Sequence, residues 1–172
     1  MDRFYADHRD GVFRYLRRIV GGHDAATDLT QEVFLRVSRA GLPDATPVGQ
    51  RAWVFRIARN LALNHVRDGS RRPAAVELGE VVTPATQELG VALKDAISAL
   101  PALERDIFLL RELVGLRYDE IASACDVSIE SVRARLHQAR QALRASMGAS
   151  LDLRGQRGVR CTVAGPRSTQ DR

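Results

Sequence analysis

Apolar side chains return at three- and four-residue steps along most of this chain, and glycine and proline cut the runs apart. Phe4, Tyr5, Val12, Phe13, Leu16, Ile19 and Val20, with Arg9, Arg14, Arg17 and Arg18 between them, predict an amphipathic helix stopped by Gly21 and Gly22. Asp24 is expected to cap a second helix. Its narrow stripe is Ala26, Leu29, Val33, Val37 and Ala40, and it ends at Gly41 and Pro43. The stretch "GLPDATPVGQ", residues 41–50, is rich in breakers, so a third helix should begin near Gln50 and run to about Arg67. Trp53, Ile57 and Leu61, with Val54, Ala58 and Ala62 alongside, form its apolar stripe, while Arg56, Arg59, Asn60, Asn64 and Arg67 mark the other side. Three helices would thus enclose a first core.

Residues 69–90 contain three glycines and two prolines and keep no period, which reads as a linker with at most a short helical turn. Periodicity resumes from Val91 to Met147. "VALKDAISAL" makes one helix, closed by Pro101. "PALERDIFLLREL" makes the next, with Pro101 in a favourable first-turn place and Leu103, Ile107, Leu110 and Val114 facing inward. "RYDEIASACDVSIESVRARLHQARQALRASM" supplies two more. No strand pattern appears, so the chain is expected to be all-α. A three-helix N-terminal domain, 1–68, and a four-helix C-terminal domain, 91–147, would be joined by a flexible linker. Residues 148–172 are rich in Gly and Arg and poor in apolar periodicity; this basic tail is expected to be disordered until it meets a partner.

The run "SVRARLHQARQALRASM" places four arginines and a histidine together with no acid. At 100° per residue, Val132, Leu136, Ala139 and Leu143 share one arc, with Ile129 and Met147 beside them. Arg133, His137, Arg140 and Arg144 share the next arc, and Arg135 projects elsewhere. Taken alone, such a run is equally a solvated outer helix. The residues before it change the picture. A short helix holding Ile121, Ala122 and Cys125, a tight break at Asp126 and Val127, and Ser128 as a cap give helix-turn-helix spacing. Ala122 lets the two helices cross closely, and Val127 and Val132 fill the angle. Asp126 stands where such turns often use glycine, and aspartate visits left-handed backbone more readily than most residues. Cys125 reads as a small apolar residue of the helix contact.

With 172 residues, 45% of them hydrophobic, the chain can bury one core or two small ones. The formal net charge of +5 favours a polyanionic partner without identifying it. Its distribution says more. Residues 1–68 carry eleven Arg against eight acids, 93–147 balance eight cations against eight acids, and the tail carries five Arg against two Asp. The C-terminal unit is neutral in sum and polarised in space. All cations but Lys94 are arginine, a bias that a GC-rich genome explains as well as chemistry does. Cys125 and Cys161 fit no zinc or disulfide framework, and no apolar run suits a membrane span or signal core, so a soluble cytoplasmic protein with no membrane insertion is expected. His8, His23, His65 and His137 lack metal-ligand spacing, and neither a nucleophile motif nor a phosphate-cradling glycine loop occurs. The reading therefore expects no enzyme, no metal and no cofactor.

Three stretches, "DAATDLTQEVFLRVSRA", "RAWVFRIARNLALNHVRD" and "LPALERDIFLLRELVGLRYDEIASACDVSIESVRARLHQARQALR", together resemble the two domains of an extracytoplasmic function (ECF) sigma factor of bacterial RNA polymerase. The resemblance covers about 1–68 and 91–147. It implies a specificity subunit that binds core polymerase, through the β′ clamp helices and the β flap, and promoter DNA. Many family members are also held by an anti-sigma factor. The segment similar to the clamp-docking surface offers Asp28, Gln31, Glu32 and Phe34. The third helix, similar to the minus-ten reader, offers Trp53, Arg56, Arg59, Asn60, Asn64 and Arg67, with Trp53 open between core and contact. Amide edges, cations and planar surfaces are what recognition of an opened strand needs. Family members hold a flipped minus-ten base in the loop that corresponds to 41–50. On the helix similar to the minus-thirty-five reader, Arg133, Ala134 and His137 should face base edges, and Ser131, Arg135 and Arg140 should lie nearer phosphates. The competing reading is a stand-alone helix-turn-helix regulator. Such a protein should show a dimer face, a ligand pocket or a phosphoacceptor, and the Arg/Asn-rich third helix suits none of these well.

Overall fold

A computed structural model describes residues 2–43, 46–68 and 84–157, with the side chains of all but 2, 47, 84–89 and 149–157. Among the described residues the chain is helical throughout: α1 (Asp2–Val20), α2 (His23–Ala40), α3 (Pro47–Arg67), α4 (Pro84–Ser98), α5 (Ala102–Glu112), α6 (Tyr118–Cys125) and α7 (Ile129–Arg157). The all-α expectation and both sets of helices are borne out.

Several boundaries differ, each for a local reason. Gly22 rather than Asp24 is the N-cap of α2, and Asp24 lies in its first turn, where a carboxylate meets the positive end of the helix dipole. α3 starts at Pro47 instead of near Gln50. The Thr46 hydroxyl accepts a hydrogen bond from the Gly49 N–H at 3.3 Å, and proline tolerates the first turn because no partner is needed for its missing N–H. The breakers in the 41–50 stretch therefore begin this helix rather than delay it. Pro101 caps α5 from just outside it. Residues 84–90, expected in the linker, belong to α4, and 148–157, expected in a disordered tail, continue α7. Residues 69–83 and 158–172, the remainder of those two segments, lie outside the described residues.

Val12, Tyr15 and Leu16 of α1, Val33 and Val37 of α2, and Val54, Phe55 and Ala58 of α3 form the core of the first three helices; Tyr15 and Phe55, its two largest buried side chains, lie outside the stripes expected from the sequence, whereas Trp53 and Ile57 of the expected α3 stripe are half-buried. That core does not stop there. The same apolar cluster continues through Ile107 and Leu110 of α5, Ile121 of α6, and Val132 and Leu136 of α7. Among the described residues the most extensive helix pairing is α3 on α6, which joins the two units. A smaller cluster, Ala96 and Leu100 with Ala139 and Leu143, fastens α4 along α7.

One polar group sits deep in the joint. Asp106 of α5 is 1% exposed; its Oδ1 accepts from the Tyr15 hydroxyl at 3.3 Å and its Oδ2 accepts from Arg59 Nε at 2.8 Å. Burial pushes the carboxyl up from its ordinary value, while the Arg59 charge and the hydrogen bonds from Arg59 and Tyr15 pull against that shift. Nearby, burial pushes the Cys125 thiol up to about 12, as suits a packing residue.

Burial first, and the Asp106 charge second, raise the Tyr15 phenol well above its ordinary value. Folding thus favours the protonated phenol. Its contribution to stability is whole below the unfolded-state value of 10.0 and is lost as pH rises beyond it. In a spectrophotometric titration, the absorbance that Tyr15→Phe removes is expected to be the part that appears together with loss of helical circular dichroism. A Tyr15 phenolate forming while the helices remain intact would contradict this burial.

Candidate nucleic-acid interface

The helix-turn-helix is built as its sequence suggests. Asp126 closes α6 in the left-handed region, at φ 56° and ψ 52°, with its N–H bonded to the Ala122 carbonyl. The Val127 N–H reaches the same carbonyl at 3.1 Å, so the chain reverses within three residues. Ser128 then caps α7, its hydroxyl accepting from the Ser131 N–H at 3.1 Å. At the other end of α6, the Arg117 N–H donates to the buried Glu120 carboxylate at 2.6 Å. Ile121, Ala122 and Cys125 of α6 and Val132 and Leu136 of α7 are all buried in the apolar cluster that the two helices share.

Beyond that contact α7 presents a graded basic surface. Arg133, Ala134, His137 and Arg144 are exposed. Two other cations of the run are held by acids of α5: Arg135 donates to Glu104 and to the Ser131 hydroxyl, each at 3.2 Å, and Arg140 pairs with Glu112. Ser131 itself is half-buried. The two α5 carboxylates escaped the sequence reading because their partners lie 31 and 28 residues away.

On α3, Arg56, Asn60, Asn64 and Arg67 form an exposed edge, with Arg67 donating to the Asn64 side chain at 3.1 Å. Trp53 is half-buried, one part packed against the core. Arg59 stands apart. Its side chain is 18% exposed and turned toward Asp106 rather than to solvent. Arg51, which the sequence reading did not single out, likewise crosses to the C-terminal unit, donating to the Val114 carbonyl at 2.8 Å and lying 3.6 Å from Glu120. Asp106 carried one legible signal: it stands three residues after Leu103 and four before Leu110, within the apolar stripe of its helix.

On α2, Asp28 and Gln31 are exposed, Glu32 pairs with Arg36 at 2.7 Å, and Phe34 is half-buried with Tyr5 edge-on to its ring at 4.7 Å. Gln31 also lines an open pocket of about 370 Å³ between α1 and α2.

Comparison with known proteins places both surfaces in one family. Residues 4–72 match the family described as "Sigma-70 region 2", and residues 90–143 match "Sigma-70, region 4". The chain is 34% identical over 155 residues to the ECF RNA polymerase sigma factor SigE of Mycolicibacterium smegmatis, with 83% of this chain and 60% of that protein covered. It is 31% identical to the ECF RNA polymerase sigma factor SigC of Mycobacterium tuberculosis, with 83% of this chain and 80% of that protein covered. The chain belongs to the ECF sigma factors.

The fold agrees with the family. The sigma factor RpoE of Bartonella quintana, solved with the anti-sigma factor NepR, superposes with a TM-score of 0.65 at 18% identity, covering 86% of this chain and 96% of that one. Of SigE, however, this ECF chain spans 60% of the length. α6, the turn and the first half of α7 fall inside the region 4 match, and α3 falls inside the region 2 match.

Proposed function

We propose that this ECF chain is a specificity subunit of bacterial RNA polymerase, directing the core enzyme to promoters and aiding DNA opening without catalysing a reaction itself. The observation that carries the reading is the occurrence of both sigma regions, in order, on one chain whose helix-turn-helix keeps its turn and exposes Arg133, Ala134 and His137. Residues 1–68 dock on the β′ clamp helices through Asp28, Gln31, Glu32 and Phe34. They read the minus-ten element through Trp53, Arg56, Arg59, Asn60, Asn64 and Arg67. Residues 91–147 contact the β flap and read the minus-thirty-five element, with Arg133, Ala134 and His137 at base edges and Ser131, Arg135 and Arg140 at phosphates. Residues 69–83 connect the two, and the basic residues of 148–172 add DNA affinity.

Base contacts supply sequence choice, and phosphate contacts supply placement and salt sensitivity. Core polymerase fixes the separation of the two readers, so two modest contacts act as one. The site of action is the cytoplasm, and no cofactor is needed. An anti-sigma factor is a further partner in this reading, supported by the complex in which the Bartonella RpoE was solved.

Run-off transcription with purified core polymerase, this protein and a pool of genomic fragments tests the reading. Specific starts that require both proteins and share elements near minus ten and minus thirty-five are expected. A palindrome selected by the protein alone, with no new starts from core, would instead establish a stand-alone regulator.

A further inference from the structure

Acids of α5 hold α7 on both of its flanks. Arg135 and Arg140 lie on opposite sides of the buried stripe of α7, Val132, Leu136, Ala139 and Leu143. α5 packs across that stripe: Ile107 is buried in the cluster that holds Val132 and Leu136, and Phe108 packs against the one that holds Ala139 and Leu143. An acid stands at either end of the crossing. Glu104 accepts from Arg135 Nη1 at 3.2 Å, and Glu112 accepts from Arg140 Nη2. The Ser131 hydroxyl accepts from Arg135 Nε at 3.2 Å and ties that guanidinium a second time. On the open arc between the two arginines lie Arg133, Ala134 and His137, all exposed. A helix in the major groove has a phosphate wall along each side, and contacts to those walls fix its orientation without reading sequence. We propose that Glu104 and Glu112 are positioning residues of the minus-thirty-five reader. By aiming Arg135 and Arg140 at the two walls, they set how α7 lies in the groove. This inference rests on the reading that α7 meets promoter DNA with these two arginines at phosphates.

Five N–H donors in a planar fork let a guanidinium keep a carboxylate on one edge and offer a phosphate another. A free arginine must give up side-chain freedom to make such a contact, and one held by an acid has already done so. Each acid also repels the phosphates of any DNA, cognate or not. The two effects fall on different sites. In a loose, non-specific complex the geometry varies, so aimed arginines have no advantage and the repulsion remains. Where base contacts fix α7 in one place, the aimed contacts coincide with them. The acids therefore raise the ratio of specific to non-specific binding rather than affinity in general.

Holoenzyme assembled from core polymerase and the full chain tests this on a promoter mapped by run-off, and on the same fragment with its minus-thirty-five element scrambled. The quantity read is the ratio of the two affinities. Glu104→Gln and Glu112→Gln keep the size of the side chain and remove its charge. Each is expected to lower the ratio about three- to tenfold, with affinity for the promoter falling and affinity for the scrambled fragment holding or rising. The Glu112–Arg140 pair is exposed and adds little to folding, so Glu112→Gln should keep the unaltered melting temperature, and it carries the test if Glu104→Gln fails to fold. In an Arg140→Ala chain, Glu112→Gln should change the ratio no further, because its effect runs through that arginine. Asp95→Asn, an equal charge change at an exposed site on α4, should leave the ratio alone. A ratio kept in Glu112→Gln, whether both affinities rise together or neither moves, overturns the proposal. So does an equal loss in the Arg140→Ala background. Run-off transcription by the unaltered chain reports separately on the sigma reading, so failure of one is distinguishable from failure of the other.

Discussion

Truncating Phe55 to alanine is expected to remove about 3–5 kcal/mol of folding stability, the usual range for a buried phenylalanine. Phe55 is 1% exposed and meets Tyr15 edge-on, with ring centroids 6.1 Å apart. Its ring end lies 3.4 Å from the place a Cβ would take at Gly11, a position of α1 that has no side chain with which to fill the void. Val114, from the C-terminal unit, approaches the same place. The cavity would therefore open where α1, α3 and the second unit converge, and relaxation could close little of it. Against a total of about 5–15 kcal/mol for an ordinary domain, this is a large fraction. Denaturant midpoints at constant slope measure it, with Phe55→Leu expected to cost less because it leaves a smaller hole. A loss below about 1 kcal/mol for the alanine variant would mean that the ring does not fill the joint.

Arg133→Ala is expected to have the largest effect on promoter choice. Arg133 is exposed in the first turns of α7, the half of a recognition helix that reaches base edges. A bidentate arginine contact to guanine discriminates by roughly 1–3 kcal/mol, so binding and run-off at the preferred minus-thirty-five element should fall by about five- to 150-fold. One position of that element should lose its base preference. Arg144, exposed further along the same arc, provides the contrast: Arg144→Ala should flatten the dependence of affinity on salt by about one phosphate contact and leave base preference alone. Selection from a randomised minus-thirty-five element, at two salt concentrations, separates the two. Uniform weakening by Arg133→Ala, with every base preference kept, would assign Arg133 to the phosphates instead.

Local periodicity made much of the architecture legible. Stripes such as Val33 and Val37, or Val132, Leu136, Ala139 and Leu143, are buried as their spacing requires. The turn at Asp126 was legible because only a few residue types tolerate its backbone. Boundaries failed where a residue has two uses. Proline ends helices and also begins them, so Pro47 read as a break and proved to be a first turn. The interface was legible only as a set of side chains. Arg59 looked like its neighbours Arg56 and Asn60, and what separates it from them is Asp106, 47 residues away. Tyr15, 91 residues from the same carboxylate, did not stand out in the apolar stripe of its helix at all. Pairings at such separations leave no periodic trace. An acid inside an apolar stripe, as at Asp106, is the one local sign of them.

The pairing of α3 with α6 also matters for synthesis. A ribosome makes the chain from its N-terminus, so α1, α2 and α3 emerge with Phe55 and Ala58 before the α6 side chains that help cover them exist. At ~5–20 residues per second, the stretch from the end of α3 to the end of α6 takes roughly 3 to 12 seconds to translate. For that interval the nascent N-terminal helices carry an unshielded apolar seam beside an arginine-rich edge. Production of the N-terminal half alone makes that interval permanent, and aggregation during expression is its natural outcome.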